Sequence, residues 1–290
     1  KPPASGSICS GSLMPVVAVG GTHFAVYNRA GNELTICSRT RALYSQSFDA
    51  GILLCAMSNN NSLAVVTESG RYAAQVQVFD PSLHLLYSWE MTQSAGTPIA
   101  LDFSPDSRRF AAGMLSAREG QLSCSVYFMS MDANAEGPVY TADQGSMLLR
   151  LDWQSERRVM AVFDTYLAVL DPTTGTETAR YDYGGAALQS VAPGRRQTAL
   201  LLTVRGGNNL VTLSETLTPM AEIPARQAFG VSATDTDIYL LCPDAVECYG
   251  YDGVQNWVYS DLASRPLAVV NAAKPLLLTG SRAEVLEGGS

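Results

Sequence analysis

Apolar residues in this chain come in short runs that either alternate with polar ones or stay unbroken, and the runs end at Gly, Asn, Asp or Pro. Alternation with a period of two marks a half-buried strand, and a short unbroken apolar run fits a strand covered on both faces. The stretch Ala100-Leu-Asp-Phe-Ser-Pro-Asp-Ser-Arg-Arg-Phe-Ala-Ala-Gly113 shows both. Leu101 and Phe103 alternate with polar neighbours. Ser104-Pro105-Asp106-Ser107 supplies a tight turn, with Pro105 fixing φ and Asp106 placed to bond its own backbone. Phe110-Ala111-Ala112-Gly113 then begins a second, buried strand. No segment of twelve or more residues carries the helical period, so the chain is predicted to be all-β.

The pattern repeats. First strands are predicted to start near 15, 51, 97, 146, 187, 228 and 265. The spacing of roughly forty residues is the period of a four-stranded propeller blade. Unit two illustrates the content: Ile52–Met57, an Asn59-Asn60-Asn61 turn, Leu63–Val66, Ala74–Phe79 and Leu85–Trp89. Unit seven supplies three strands, Leu267–Val270, Pro275–Thr279 and Glu284–Leu286. Its missing outer strand is expected from Ser7-Ile-Cys-Ser10, a closure that removes open sheet edges. The expected organisation is a linker over 1–7 and a single seven-bladed β-propeller of four-stranded antiparallel blades over 8–290. Six or eight blades are the alternatives if one unit is misphased.

Two motifs carry a resemblance. Residues 99–113 resemble the first two strands of a blade in WD-repeat-like and TolB-like β-propellers. Val169-x-Asp171-x-x-Thr174-Gly175 resembles the third-strand-and-turn signature of quinoprotein-like propellers, although Ala179 stands near where their tryptophan follows. The chain is also similar to uncharacterised membrane-anchored propellers of Gram-positive bacteria, in which one helix precedes the propeller. That resemblance, with the linker-like start Lys1-Pro-Pro-Ala-Ser-Gly-Ser7, implies a protein outside the cytoplasmic membrane, held there by a segment upstream of Lys1.

Composition narrows the function. Hydrophobic residues make up 47% and charged residues 16%, which fits a well-buried chain and excludes disorder. The formal charge of −8 disfavours nucleic acid as a partner. The six cysteines form no CxxC pair and mostly sit in apolar runs, where a thiol behaves as a small hydrophobe. Cys242 and Cys248 flank one turn, and a disulfide between them is left open. The only histidines, His23 and His84, are too separated for a histidine metal site. No apolar run approaches the ~20 residues of a membrane helix.

Candidate chemistry is sparse. The innermost strands offer His23, Asp102, Arg150, Asp152 and Gln189. Asp102 and Asp152 occupy equivalent places in neighbouring units and are read as bonding turn amides at a blade end. No GxSxG, P-loop, HExxH or EF-hand pattern occurs, so no catalytic residue, cofactor or metal is assigned. Tyr27, Phe79, Tyr127 and Tyr249 are read as packing between blades, and Trp153 as a residue near the channel mouth. One pattern is less neutral: the turns joining second to third strands carry Arg29, Arg71, Arg118, Arg205 and Arg282, with Arg226 and Arg265 in connections between blades. Arginine recognises carboxylate or phosphate through its planar fork. The opposite ends carry Arg108-Arg109, Arg157-Arg158 and Arg195-Arg196 beside Asp106, Asp132, Glu156 and Asp171, a mixed surface.

Two classes of function follow. The preferred one is a non-enzymatic, monomeric interaction module that presents the arginine face to an unknown protein or anionic ligand. The alternative is a channel-centred enzyme or small-ligand binder of lactonase-like or quinoprotein-like type, which needs three or more polar groups converging in the channel.

Overall fold

The computed structural model describes residues 15–118, 120–132, 137–260, 262, 264–270 and 274–286, and for Arg118 only the backbone. The N-terminal closure expected from 7–10 lies outside these residues. Among the described residues every regular element is a strand, and the strands form seven antiparallel sheets. Six sheets have four strands and the seventh has three, each in simple sequence order. First strands begin at Pro15, Ile52, Thr97, Leu148, Ala187, Gly230 and Pro266, within two residues of every predicted start. The chain divides into two compact units, Lys1–Ala161 with Leu170–Thr176, and Val162–Val169 with Glu177–Ser290.

In the first unit, neighbouring sheets cover both faces of the middle strands, and this is why those strands read as unbroken apolar runs. Leu63–Thr67 is buried at all five positions, whereas the outer strand Leu85–Met91 alternates between exposed and half-buried until its last residue. Blades one and two share a core containing Tyr27, Leu34, Ile36, Leu63 and Val65. Blades two and three share another around Val76, Met91, Phe110 and Met114. Fully burying a side chain such as Phe110, 0% exposed, contributes roughly 1.5–3 kcal/mol. Tyr27, Phe79 and Tyr127 pack in these seams, as expected.

The tight turns behave as their sequences require. Ser104 Oγ bonds Asp106, accepts the Arg109 N–H and donates to the Arg109 carbonyl, while Asp106 Oδ1 accepts the Arg108 N–H. Ser58, Asn60 and Ser62 repeat the device one blade earlier. These turns also reach across blades: Asn61 Oδ1 accepts the N–H groups of Thr22 and His23 at 2.9 and 3.0 Å, and the Arg109 guanidinium donates to the Glu156 carbonyl.

Trp153, on the strand Leu148–Ser155, packs as a core aromatic. It is buried, with its ring edge-to-face with Phe128 at 5.9 Å and its indole N–H donated to the Ser155 carbonyl at 2.7 Å. The Arg109 guanidinium lies 5.2 Å from its ring centroid. It is a packing residue of the blade three–four seam.

In the second unit, blades five and six share a core through Leu201, Leu210, Ile238, Leu240 and Cys242, and blades six and seven share one through Tyr239, Leu241, Cys248, Val269 and Leu277. Cys242 and Cys248 therefore pack on opposite faces of one sheet. Cys248 pairs with Tyr239 across the ladder, three residues from Cys242, or roughly 10 Å along a strand. That exceeds the span of a disulfide, and both thiols are free.

Candidate functional site

Of the candidates on the innermost strands, the structure brings Asp102 near Asp152 and Arg150. Asp102 is committed to two backbone N–H groups, those of Phe103 at 3.0 Å and Trp153 at 2.6 Å. This realises the expected bonding to amides, although the amides belong to strands rather than turns. Asp152 instead accepts the Gln154 side-chain amide at 3.0 Å. Gln189 is weakly bonded to the Phe229 carbonyl, and His23 opens the strand His23–Asn28. Elsewhere the innermost strands expose apolar side chains: Val17, Val19, Leu149 and Leu267. Among the described residues no three His, Cys, Asp or Glu side chains gather as metal ligands do.

In an up-and-down sheet, the turn from second to third strand and the connection to the next sheet fall at one end. The remaining turns fall at the other. Arg29 lies in the turn after His23–Asn28 and Arg71 in the loop after Leu63–Thr67, and both are exposed. Arg118 closes the strand Arg109–Arg118, paired with Gln121. The first unit thus carries its predicted arginines at one end of successive blades. In the second unit Arg205 is exposed between Thr198–Val204 and Gly207–Leu213. Arg282 is also exposed but is ion-paired with Glu284. Arg265 lies 3.8 Å from the Phe229 ring centroid, and Arg226 lines a 230 Å³ recess with Cys242 and Glu247. At the opposite end, Arg157 is paired with Asp171 at 2.9 Å, in keeping with a mixed surface.

A groove of about 390 Å³ opens beside Arg71, where two loops and a strand end meet at the arginine-bearing end. Ser69 and Tyr72 come from the second-to-third strand loop of blade two, Gln93 and Ser94 from the connection into blade three, Thr97 from the start of its first strand, and Ser116 from the end of the long strand Arg109–Arg118. Local chemistry sets each wall. Ser69 Oγ accepts the N–H groups of Arg71 and Tyr72 and curls the loop. The Arg71 guanidinium stands 5.5 Å from the Tyr72 centroid, and the Glu90 carboxylate beside the Tyr72 hydroxyl raises its pKa. Gly96, at φ +96°, lies so close to the neighbouring strand that a Cβ would stand 2.3 Å from the Leu115 carbonyl oxygen. The Gln93 amide and the Thr97 hydroxyl are exposed and make no hydrogen bond among the described residues. The motifs and spacings of the sequence do not single out this groove. Its one local signal is the polar, glycine-ended connection Thr92-Gln-Ser-Ala-Gly96.

Repeated four-stranded meanders whose seams are closed sheet against sheet define a β-propeller, and known structures agree. The chain is similar to the WD40 domain of Neurospora crassa Pan2, with a TM-score of 0.61, 10% identity, and 90% of this chain and 84% of that chain covered. It is similar to BamB from Moraxella catarrhalis, with a TM-score of 0.57, 12% identity, and 91% and 82% covered. The computationally designed protein Ika8 gives a TM-score of 0.67 at 12% identity, covering 91% and 79%. Residues 13–213 match the family of unknown function DUF5711, and the chain belongs to that family. No protein of curated function matches the sequence.

Proposed function

We propose that this propeller is a non-enzymatic binding module that takes an acidic protein segment or another anionic ligand on the arginine-bearing ends of its blades. The observation that carries the reading is the placement of exposed Arg29 and Arg71 in successive second-to-third strand loops, the latter at the rim of the polar groove. In a chain of net charge −8, such arginines make a local positive field on an otherwise repelling surface. The propeller fold shared with WD40 domains and BamB supports an interaction role. The channel-centred alternative needs a convergent donor set, and Asp102, its nearest candidate, is committed to the N–H groups of Phe103 and Trp153. We further propose a location outside the cytoplasmic membrane, the expectation that the sequence pattern raised. A disulfide-dependent phosphatase fused to the protein, active only where disulfides form outside the cytoplasm, tests that placement, and an inactive fusion would refute it.

The binding reading is tested with a fluorescein-labelled hexaglutamate peptide at low and at raised ionic strength. The parent protein is expected to bind with an affinity that falls as salt rises. Replacing Arg29, Arg71 and Arg205 together by Ala should weaken binding at least tenfold. No binding by the parent, or equal binding by the triple variant, refutes the proposal.

A further inference from the structure

The geometry points to the groove between blades two and three as a saccharide site. The inference rests on the arginine-bearing ends being the ligand face, and it names a different ligand chemistry for one part of that face.

The character of the lining sets that chemistry. Among the described residues Ser69, Ser94, Thr97 and Ser116 contribute hydroxyls, Gln93 a carboxamide and Tyr72 an aromatic ring, with Ala73, Leu115 and Ala117 beside them, and none of these lining residues is charged. Hydroxyls and carboxamides donate and accept, so such walls match a ligand that presents donors and acceptors in alternation around its body. A sugar ring does so. An acyl chain would ask for a larger apolar wall than Ala73, Leu115 and Ala117 supply. The volume of about 390 Å³ falls in the range of small-molecule sites.

Two of these groups stand ready for a ligand. The Gln93 amide and the Thr97 hydroxyl have no partner among the described residues. Ser69 Oγ accepts two backbone N–H groups and keeps its own proton to donate. Tyr72 supplies an amphipathic surface for the C–H face of a sugar. The walls are preformed, because Gly96 holds the connection in close contact with the Leu115 carbonyl. Preorganisation limits the ordering cost of binding. Arg71 stands outside the lining, so it would add affinity for a sugar carboxylate without being needed for a neutral sugar.

The test titrates the full chain with maltotriose, cellotriose, chitotriose and trigalacturonate at millimolar concentration, read by saturation-transfer NMR and calorimetry, with hexaglutamate as a separate arm. At least one trisaccharide is expected to bind. Tyr72→Ala and the double variant Gln93→Ala/Thr97→Val should each weaken it about tenfold or more, whereas Tyr72→Phe, which keeps the ring, should stay within about threefold. Arg71→Ala should leave a neutral trisaccharide within about twofold and weaken trigalacturonate. Gln93 and Thr97 are exposed, so loss of binding in that variant with an unchanged melting curve reports the site rather than the fold. No saccharide binding, or binding indifferent to the Tyr72 and Gln93/Thr97 changes, overturns the inference. Binding of hexaglutamate alone would overturn it while leaving the anionic-ligand reading intact.

Discussion

The Asp102 carboxylate, on the innermost strand of blade three, accepts the backbone N–H of Trp153 on the innermost strand of blade four at 2.6 Å. The same construction recurs with a shorter side chain in the second unit, where Ser190 Oγ accepts the Val231 N–H and Ser232 Oγ the Val269 N–H, both at 3.2 Å. First strands of successive blades do not pair as a ladder, so an N–H facing the next blade needs a side-chain acceptor. Asp102 differs from the two serines in carrying a charge.

That charge gives a pH dependence. Burial pushes the Asp102 pKa up to about 6, the nearby Asp152 adds to the rise, and the bonded N–H groups of Trp153 and Phe103 together with Arg150 oppose it. A carboxyl group whose folded pKa exceeds its unfolded value stabilises the fold fully below the unfolded pKa and loses that contribution as pH rises through the folded one. Between about pH 4 and pH 6 this group should therefore disfavour the folded state progressively, by at most about 3 kcal/mol. Asp102→Asn keeps an acceptor and removes the charge. The difference in denaturation midpoint between the parent protein and Asp102→Asn should grow in the variant's favour from pH 4.5 to pH 7. A difference that is flat with pH would contradict the assignment.

Asp171 should show the opposite sign. Its carboxylate accepts the Thr173 N–H at 2.8 Å and the Arg157 guanidinium at 2.9 Å, and these bonds hold its pKa below the ordinary carboxylate range. The stability it contributes is present above the unfolded pKa and is lost as pH falls through the folded one. Asp171→Ala should cost about 1–2 kcal/mol in urea denaturation at neutral pH. Asp171→Asn, which keeps a turn acceptor and loses only an ion pair to an exposed arginine, should cost less than about 1 kcal/mol. Equal costs for the two would place the stabilisation in the ion pair.

Gly96→Ala should lower the denaturation midpoint and reshape the groove together. The positive φ alone costs on the order of 1–3 kcal/mol for a residue with a Cβ, and the Leu115 carbonyl stands where that Cβ would go. Gly120, whose φ is also positive but which has open space around it, is the control. Gly120→Ala should cost only its backbone strain, and a larger loss there than at Gly96 would count against the close-approach argument.

Cys242 and Cys248 should remain unlinked under oxidising conditions. Burial, with Glu247 and Asp244 beside one and Asp237 beside the other, pushes both thiols up to about 11, which leaves little thiolate to react at neutral pH. Peptide mapping after alkylation should find neither residue modified in the folded protein and both modified after denaturation. A peptide linking the two would refute the placement on opposite faces.

The chain's own residues were enough to locate the strands and turns. Alternation, unbroken second strands and the Ser104–Ser107 and Asn59–Asn61 turns depend on neighbours a few positions away, so the blade starts and the arginine-bearing loops could be read directly. The Asp171–Gly175 turn was legible for the same reason, and it forms with Gly175 at φ +71°. Contacts between sheets were not legible, because they join residues with no local mark of one another. Trp153 is buried because blade three covers it, and Cys242 parts from Cys248 because an offset of three along a pleated ladder reverses the face. The groove exists only where the loops around Ser69 and Ser94 and the strand end at Ser116, each more than twenty residues from the next, are brought to one rim. Pattern within a strand is encoded by the side chains that make it; the meeting of separate loops is decided by how the sheets pack.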